Sequence, residues 1–188
     1  MQENSFSKKV KIILFFLFAL FLISFSKYTP YIEHHKSSHS ILEQIFTLYF
    51  FIFYQTLGMV HEAGHGICYL LRCPQFITVL NGTLFQVLFP LVIAFYYKKR
   101  NNMFAFYMAL FFVGFSLTYT AWYISTSNTG PIVPANRSFL GQDGYHDFYY
   151  ILSALGVLKY YSFISILVKI VAYCIMIAAI FGMFIETL

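Results

Sequence analysis

Five consecutive residues, His61-Glu62-Ala63-Gly64-His65, carry the chemistry most legible in this chain. On a helix, residues four apart share a face about one turn apart, so two imidazoles at this spacing can hold one Zn²⁺ at ~2.0–2.1 Å. The intervening glutamate then stands beside a coordinated water. The metal lowers that water's pKa toward about 7, and a carboxylate within reach can take its proton and pass it to a leaving group. These roles make His61 and His65 metal ligands and Glu62 a general base.

A catalytic zinc usually has three protein ligands and one open position. The chain holds only two aspartates, Asp143 and Asp147, and both flank His146 in Gly141-Gln142-Asp143-Gly144-Tyr145-His146-Asp147-Phe148. A helix is expected to begin near Gly144, where a carboxylate also gains from free N–H groups and the helix dipole. His146 and Asp147 would point about 100° apart, so one can ligate while the other orients it. His146 is the favoured ligand, with Asp147 the alternative and Asp143 a further candidate. Cys68 follows His65 by three residues on the same face and reads as packing. His34, His35 and His39 belong to a polar stretch that reads as a solvated loop. Asn81, Gly82, Gln86 and Pro90 are candidates to line a cleft, or else a polar notch and a kink satisfied by neighbours.

The elements that must position these groups belong in a bilayer. Of 188 residues, 60% are hydrophobic and 10% charged, with mean hydropathy +0.70, whereas soluble domains carry about 25% charged residues. Three ionisable groups within five residues of an apolar segment cost several kcal/mol each unless a metal or polar network offsets their burial. The net charge of +5 comes largely from Lys8, Lys9, Lys11 and Lys98, Lys99, Arg100. These clusters abut apolar runs and read as topology determinants, not as a nucleic-acid surface. Basic residues divide nearly evenly between the two sides, so orientation is left open. Three cysteines make no disulfide framework.

Run lengths predict an all-α membrane bundle of about six segments in a single domain spanning 1–188. A first span covers 11–26 and is read as uncleaved, since no small-x-small site follows it. A second runs from Ile41 to about Leu71 and contains the motif. Arg72 to Thr83 is expected to be interfacial or re-entrant, with Pro74, Asn81 and Gly82 as breakers. Leu84–Tyr97 and Met103–Ser125 follow as spans, then a long polar loop from Thr126 to Tyr145. An apolar helix from His146 to Tyr160 and a last span over 162–184 complete the set.

The His61-Glu62-Ala63-Gly64-His65-Gly66 stretch in an apolar span, with an aspartate-bearing motif two spans later, resembles the site-2 protease group of intramembrane zinc metalloproteases. The likeness covers roughly residues 41–160. It implies a three-helix core, zinc held by two histidines and a later aspartate, Glu62 as general base, and cleavage of a membrane-bound protein or peptide within the lipid bilayer. Asp143-Gly144 echoes the Asp-Gly pair of that group, and His146-Asp147 followed by an aromatic is similar to a signature of its small relatives. The same zinc-and-water chemistry would serve a membrane hydrolase of lipid amides or esters. A non-enzymatic metal-binding or transport protein is the expectation from a different class.

Overall fold

The computed structural model describes residues 7–27, 41–133 and 144–188. The expected loop bearing His34, His35 and His39, and the candidate Asp143, lie outside the described residues. Six α-helices carry almost all of the remainder: α1 Lys8–Lys27, α2 Ile41–Leu70, α3 Gln75–Lys99, α4 Met103–Ser125, α5 Asp147–Ala154 and α6 Tyr161–Ile185. Besides these there are two short 3-10 turns, Thr126–Thr129 and Leu158–Tyr160, and a two-residue antiparallel ladder, β1 (Ile132–Val133) against β2 (Gly144–Tyr145).

The turns follow from local chemistry. Pro74 precedes α3, and the α2–α3 turn passes through Arg72 at φ 54. Asn102 caps α4 by accepting the Ala105 N–H at 3.2 Å, while Lys98 and Lys99 occupy the last turn of α3, where the helix dipole favours cations. Pro90 lies inside α3 and has no N–H to offer the Gln86 carbonyl. The Ser116 hydroxyl of α4 fills that vacancy at 3.3 Å, and the Gln86 amide returns a 3.0 Å bond to Ser116 Oγ. Gln86 and Pro90 therefore form a notch between α3 and α4 in which the freed carbonyl is satisfied, while Gln86 Oε1 is buried without a partner among the described residues.

Three helices among the described residues are long and apolar enough to cross a membrane, namely α3, α4 and α6. Buried residues make up 61% of the most apolar stretch of α4 against 22% for α3 and for α6, which makes α4 the central helix. Phe111 and Phe115 of α4 pack on Met176 and Ala179 of α6, and Phe18 of α1 meets Phe111 edge-on at 4.8 Å. A second cluster, Ile124 with Phe148, Ile151 and Leu152, fastens α5 to the end of α4 and to Phe76, Val79 and Leu80 of α3. That cluster fixes where Asp147 stands.

Two expectations from run lengths are corrected. Residues 72–83 are not a re-entrant piece, since only Arg72–Pro74 break the helix and α3 runs unbroken through Asn81 and Gly82. The Asn81 amide donates to the Gly64 carbonyl of α2 at 2.6 Å instead of competing for its own backbone. The helix cost of a glycine, about 1 kcal/mol, is offset by the close approach that Gly82 permits. The segment from His146 to Tyr160 is not a crossing either, because α5 has 8 residues, about 12 Å of rise against a hydrocarbon core of about 30 Å.

Gly114 tests the α4–α6 seam. A Cβ there would meet the Met176 side chain at 2.6 Å and the Ala172 carbonyl at 2.7 Å. Gly114→Ala is expected to destabilise the protein by about 1–3 kcal/mol, read as a lower unfolding temperature in detergent.

Candidate metal centre

Three donor atoms from two distant stretches of chain converge on one point. His61 Nε2 lies 2.8 Å from Asp147 Oδ2, His65 Nε2 lies 3.2 Å from the same oxygen, and the two Nε2 atoms are 3.1 Å apart. The imidazoles meet edge to face at a centroid distance of 4.7 Å. His61 and Asp147 are buried and His65 nearly so. These three residues are close enough to hold a metal ion.

The donors fit a cation. The Thr78 carbonyl oxygen sits 2.8 Å from His65 Nδ1. A carbonyl only accepts, so the proton of neutral His65 resides on Nδ1 and Nε2 presents a lone pair. That lone pair faces another ring nitrogen and a carboxylate oxygen, a set of donor atoms that one cation could bridge. A tetrahedral zinc with bonds of ~2.0–2.1 Å needs donors ~3.3 Å apart. The observed separations of 2.8–3.2 Å are slightly contracted from that edge. Thr78 also supplies the outer hydrogen bond that ligating histidines ordinarily make, while His61 Nδ1 is buried without a partner among the described residues.

The space among the three donor atoms is kept open by a glycine. A Cβ at Gly82 would lie 2.6 Å from His65 Nε2 and 2.8 Å from His61 Nε2, among the donor atoms themselves. One turn away on α2, Gly64 performs the matching service, since a Cβ there would strike the Asn81 carbonyl oxygen at 2.5 Å. Gly64 thereby lets α3 approach the helix that bears His61 and His65. At Gly66 nothing lies within 4 Å.

His146, the ligand favoured by sequence, has its nitrogens engaged elsewhere. Thr126 Oγ1 donates to the Tyr123 carbonyl at 2.8 Å, so its oxygen accepts from His146 Nε2–H at 3.1 Å. That leaves Nδ1 unprotonated, and it accepts the Tyr149 N–H at 3.4 Å as the cap of α5. Burial pushes the His146 imidazole down to about 4, so it is neutral at physiological pH. Asp147, its neighbour in sequence, is the residue brought to the imidazoles. Glu62 is exposed, one residue from His61 and turned about 100° around α2 from it.

Tyr123 of α4 ties these pieces together and was not singled out by sequence. Its ring stacks on His146 at 4.4 Å and meets His61 edge-on at 6.0 Å, and its hydroxyl accepts the Asp147 N–H at 3.2 Å. As one of 16 tyrosines it carries no local motif that would distinguish it. Thr78 was hidden for another reason, since it lies in the stretch expected to break the helix.

Comparison with protein-family models, curated proteins and solved structures finds no match to this chain.

The geometry separates the three converging donors from the residues that support them. His61→Ala, His65→Ala and Asp147→Ala are each expected to abolish stoichiometric zinc in the purified protein, measured by elemental analysis. His146→Asn, which keeps a capping side chain, is expected to retain about one zinc per chain. Gly82→Ala is expected to lose zinc although no ligand has changed.

Proposed function

We propose that the chain is a multi-pass membrane hydrolase of the zinc metalloprotease type, cleaving a peptide bond of a membrane-bound substrate. The single observation that carries this reading is the convergence of His61 and His65 with Asp147. An H-E-x-x-H helix thereby gains its third donor, with Glu62 beside it at an open face. Two histidines, one carboxylate and a neighbouring glutamate form a donor set suited to hydrolytic zinc. A zinc ion bound there supplies Lewis-acid polarisation of the scissile carbonyl and eases deprotonation of a water molecule.

The chain's own residues account for the rest. His61, His65 and Asp147 present two neutral donors and one anion, which leaves net positive charge at the centre to stabilise an oxyanion as it develops. The Thr78 carbonyl holds His65 in the Nδ1–H tautomer, so that Nε2 is free to ligate. The Glu62 carboxylate takes a proton from the attacking water as its oxygen bonds to the carbonyl carbon. Glu62 then delivers that proton to the leaving nitrogen as the C–N bond breaks.

The apolar helices α3, α4 and α6 supply the membrane setting, and the resemblance of the motif pair to the site-2 protease group points to the same substrate class. Glu62→Gln is expected to keep its zinc and to lose at least ~100-fold in cleavage of a membrane-peptide substrate reconstituted in vesicles. Wild-type turnover in the mutant would remove Glu62 as the base, and a metal-loaded wild type inert toward every membrane peptide would overturn the proteolytic reading.

A further inference from the structure

The end of α2 carries a second pair of reactive side chains, built into its cap. The Cys73 N–H donates to the Cys68 carbonyl at 2.9 Å and the Arg72 N–H to the Tyr69 carbonyl at 3.2 Å. Arg72 is left-handed at φ 54. These are the two nested bonds and the left-handed residue of a Schellman cap, a motif that brings together the side chains of the two residues joined by its longer bond. Here both are cysteines. The cap sets their side chains beside one another, which is the placement that a disulfide, spanning Cα atoms ~4.4–6.8 Å apart, requires. Cys68 is buried and Cys73 half-buried, both with free thiols.

The pair is wired to the metal centre through one residue. Thr78 Oγ1 donates to the carbonyls of Cys73 and Pro74 at 3.3 and 3.2 Å, and the Thr78 N–H to Pro74 at 2.9 Å. The Thr78 carbonyl in turn accepts from His65 Nδ1 at 2.8 Å. The turn that joins the cysteines therefore also carries the group that orients His65.

We propose that Cys68 and Cys73 are a redox site: a disulfide closes between them by exchange with a low-molecular-weight disulfide and stiffens the turn that holds Thr78 behind His65. The more accessible Cys73 thiolate attacks one sulfur of the incoming disulfide, forming a mixed disulfide and releasing one thiolate. The Cys68 thiolate attacks Cys73 Sγ, forming the Cys68–Cys73 bond and releasing the second. The incoming disulfide is reduced by two electrons to two thiols, which take up the two protons lost by the cysteines. The coupling to His65 rests on the metal-site reading; the disulfide itself does not.

Arg72 separates the two cysteines, so trypsin places them on different peptides. Full-length protein carrying Cys174→Ser is treated with glutathione disulfide, alkylated under denaturing conditions and digested without reductant. Both thiols are expected to be lost together, with the two peptides joined in one species two hydrogens lighter than the reduced pair and separated by dithiothreitol. Alkylatable Cys68 beside a persistent glutathione adduct on Cys73 would overturn the redox site. In zinc-loaded protein, loss of the ion to EDTA is expected to be at least about threefold slower after oxidation. An unchanged rate would overturn the coupling to His65. Protein that binds no zinc in either state would instead count against the metal centre, leaving the peptide result to decide the disulfide.

Discussion

Three side chains, His61, His65 and Asp147, converge in an interior built of phenylalanine and aliphatic side chains, and the contacts around them serve to hold that convergence. Bringing a carboxylate and two imidazoles out of water costs several kcal/mol per charged group, and the short contacts of both imidazoles with Asp147 offset part of it. The close approach of α2 to α3 at Gly64 and Gly82, the notch at Pro90 and the docking of α5 all serve to keep those donors about 3 Å apart.

The supports are polar groups used in series. Thr78 sets the tautomer of His65, Asn81 locks α3 to the Gly64 carbonyl, and Tyr123 receives the Asp147 N–H while stacking on His146. Each connection satisfies a backbone or side-chain group that would otherwise be buried alone, which is the condition for polar atoms to survive in such an apolar fold. His146 shows the same economy: an imidazole next to Asp147 caps α5 through one nitrogen and hydrogen-bonds Thr126 through the other. The cysteine-bearing cap of α2 joins the series at Thr78, so the outer shell of the centre extends to the helix end.

Much of this was legible in the residues alone. The metal pair His61 and His65 follows from a spacing of four, which any helix turns into a shared face, and the helical bundle follows from apolar runs whose backbone groups can be satisfied only internally. The bounds of α4 and α6 coincide closely with their apolar runs, because lipid-length hydrophobic stretches leave little choice of conformation. Residues 72–83 misled for a definite reason: proline, asparagine and glycine are helix breakers in isolation, and the packing that makes Asn81 and Gly82 acceptable comes from α2, which local sequence does not show.

The choice between His146 and Asp147 belonged entirely to the tertiary structure. Adjacent residues at a helix start point about 100° apart, so the sequence alone determined that one of them could face the helix bearing His61 and His65 and not which. The decision was made by the cluster of Ile124 with Phe148, Ile151 and Leu152, whose burial rotates α5 until Asp147 meets the imidazoles and His146 turns to Thr126. Ligand type and spacing are properties of a chain, whereas the rotation of a short helix is set by the apolar surface it must bury against its neighbours.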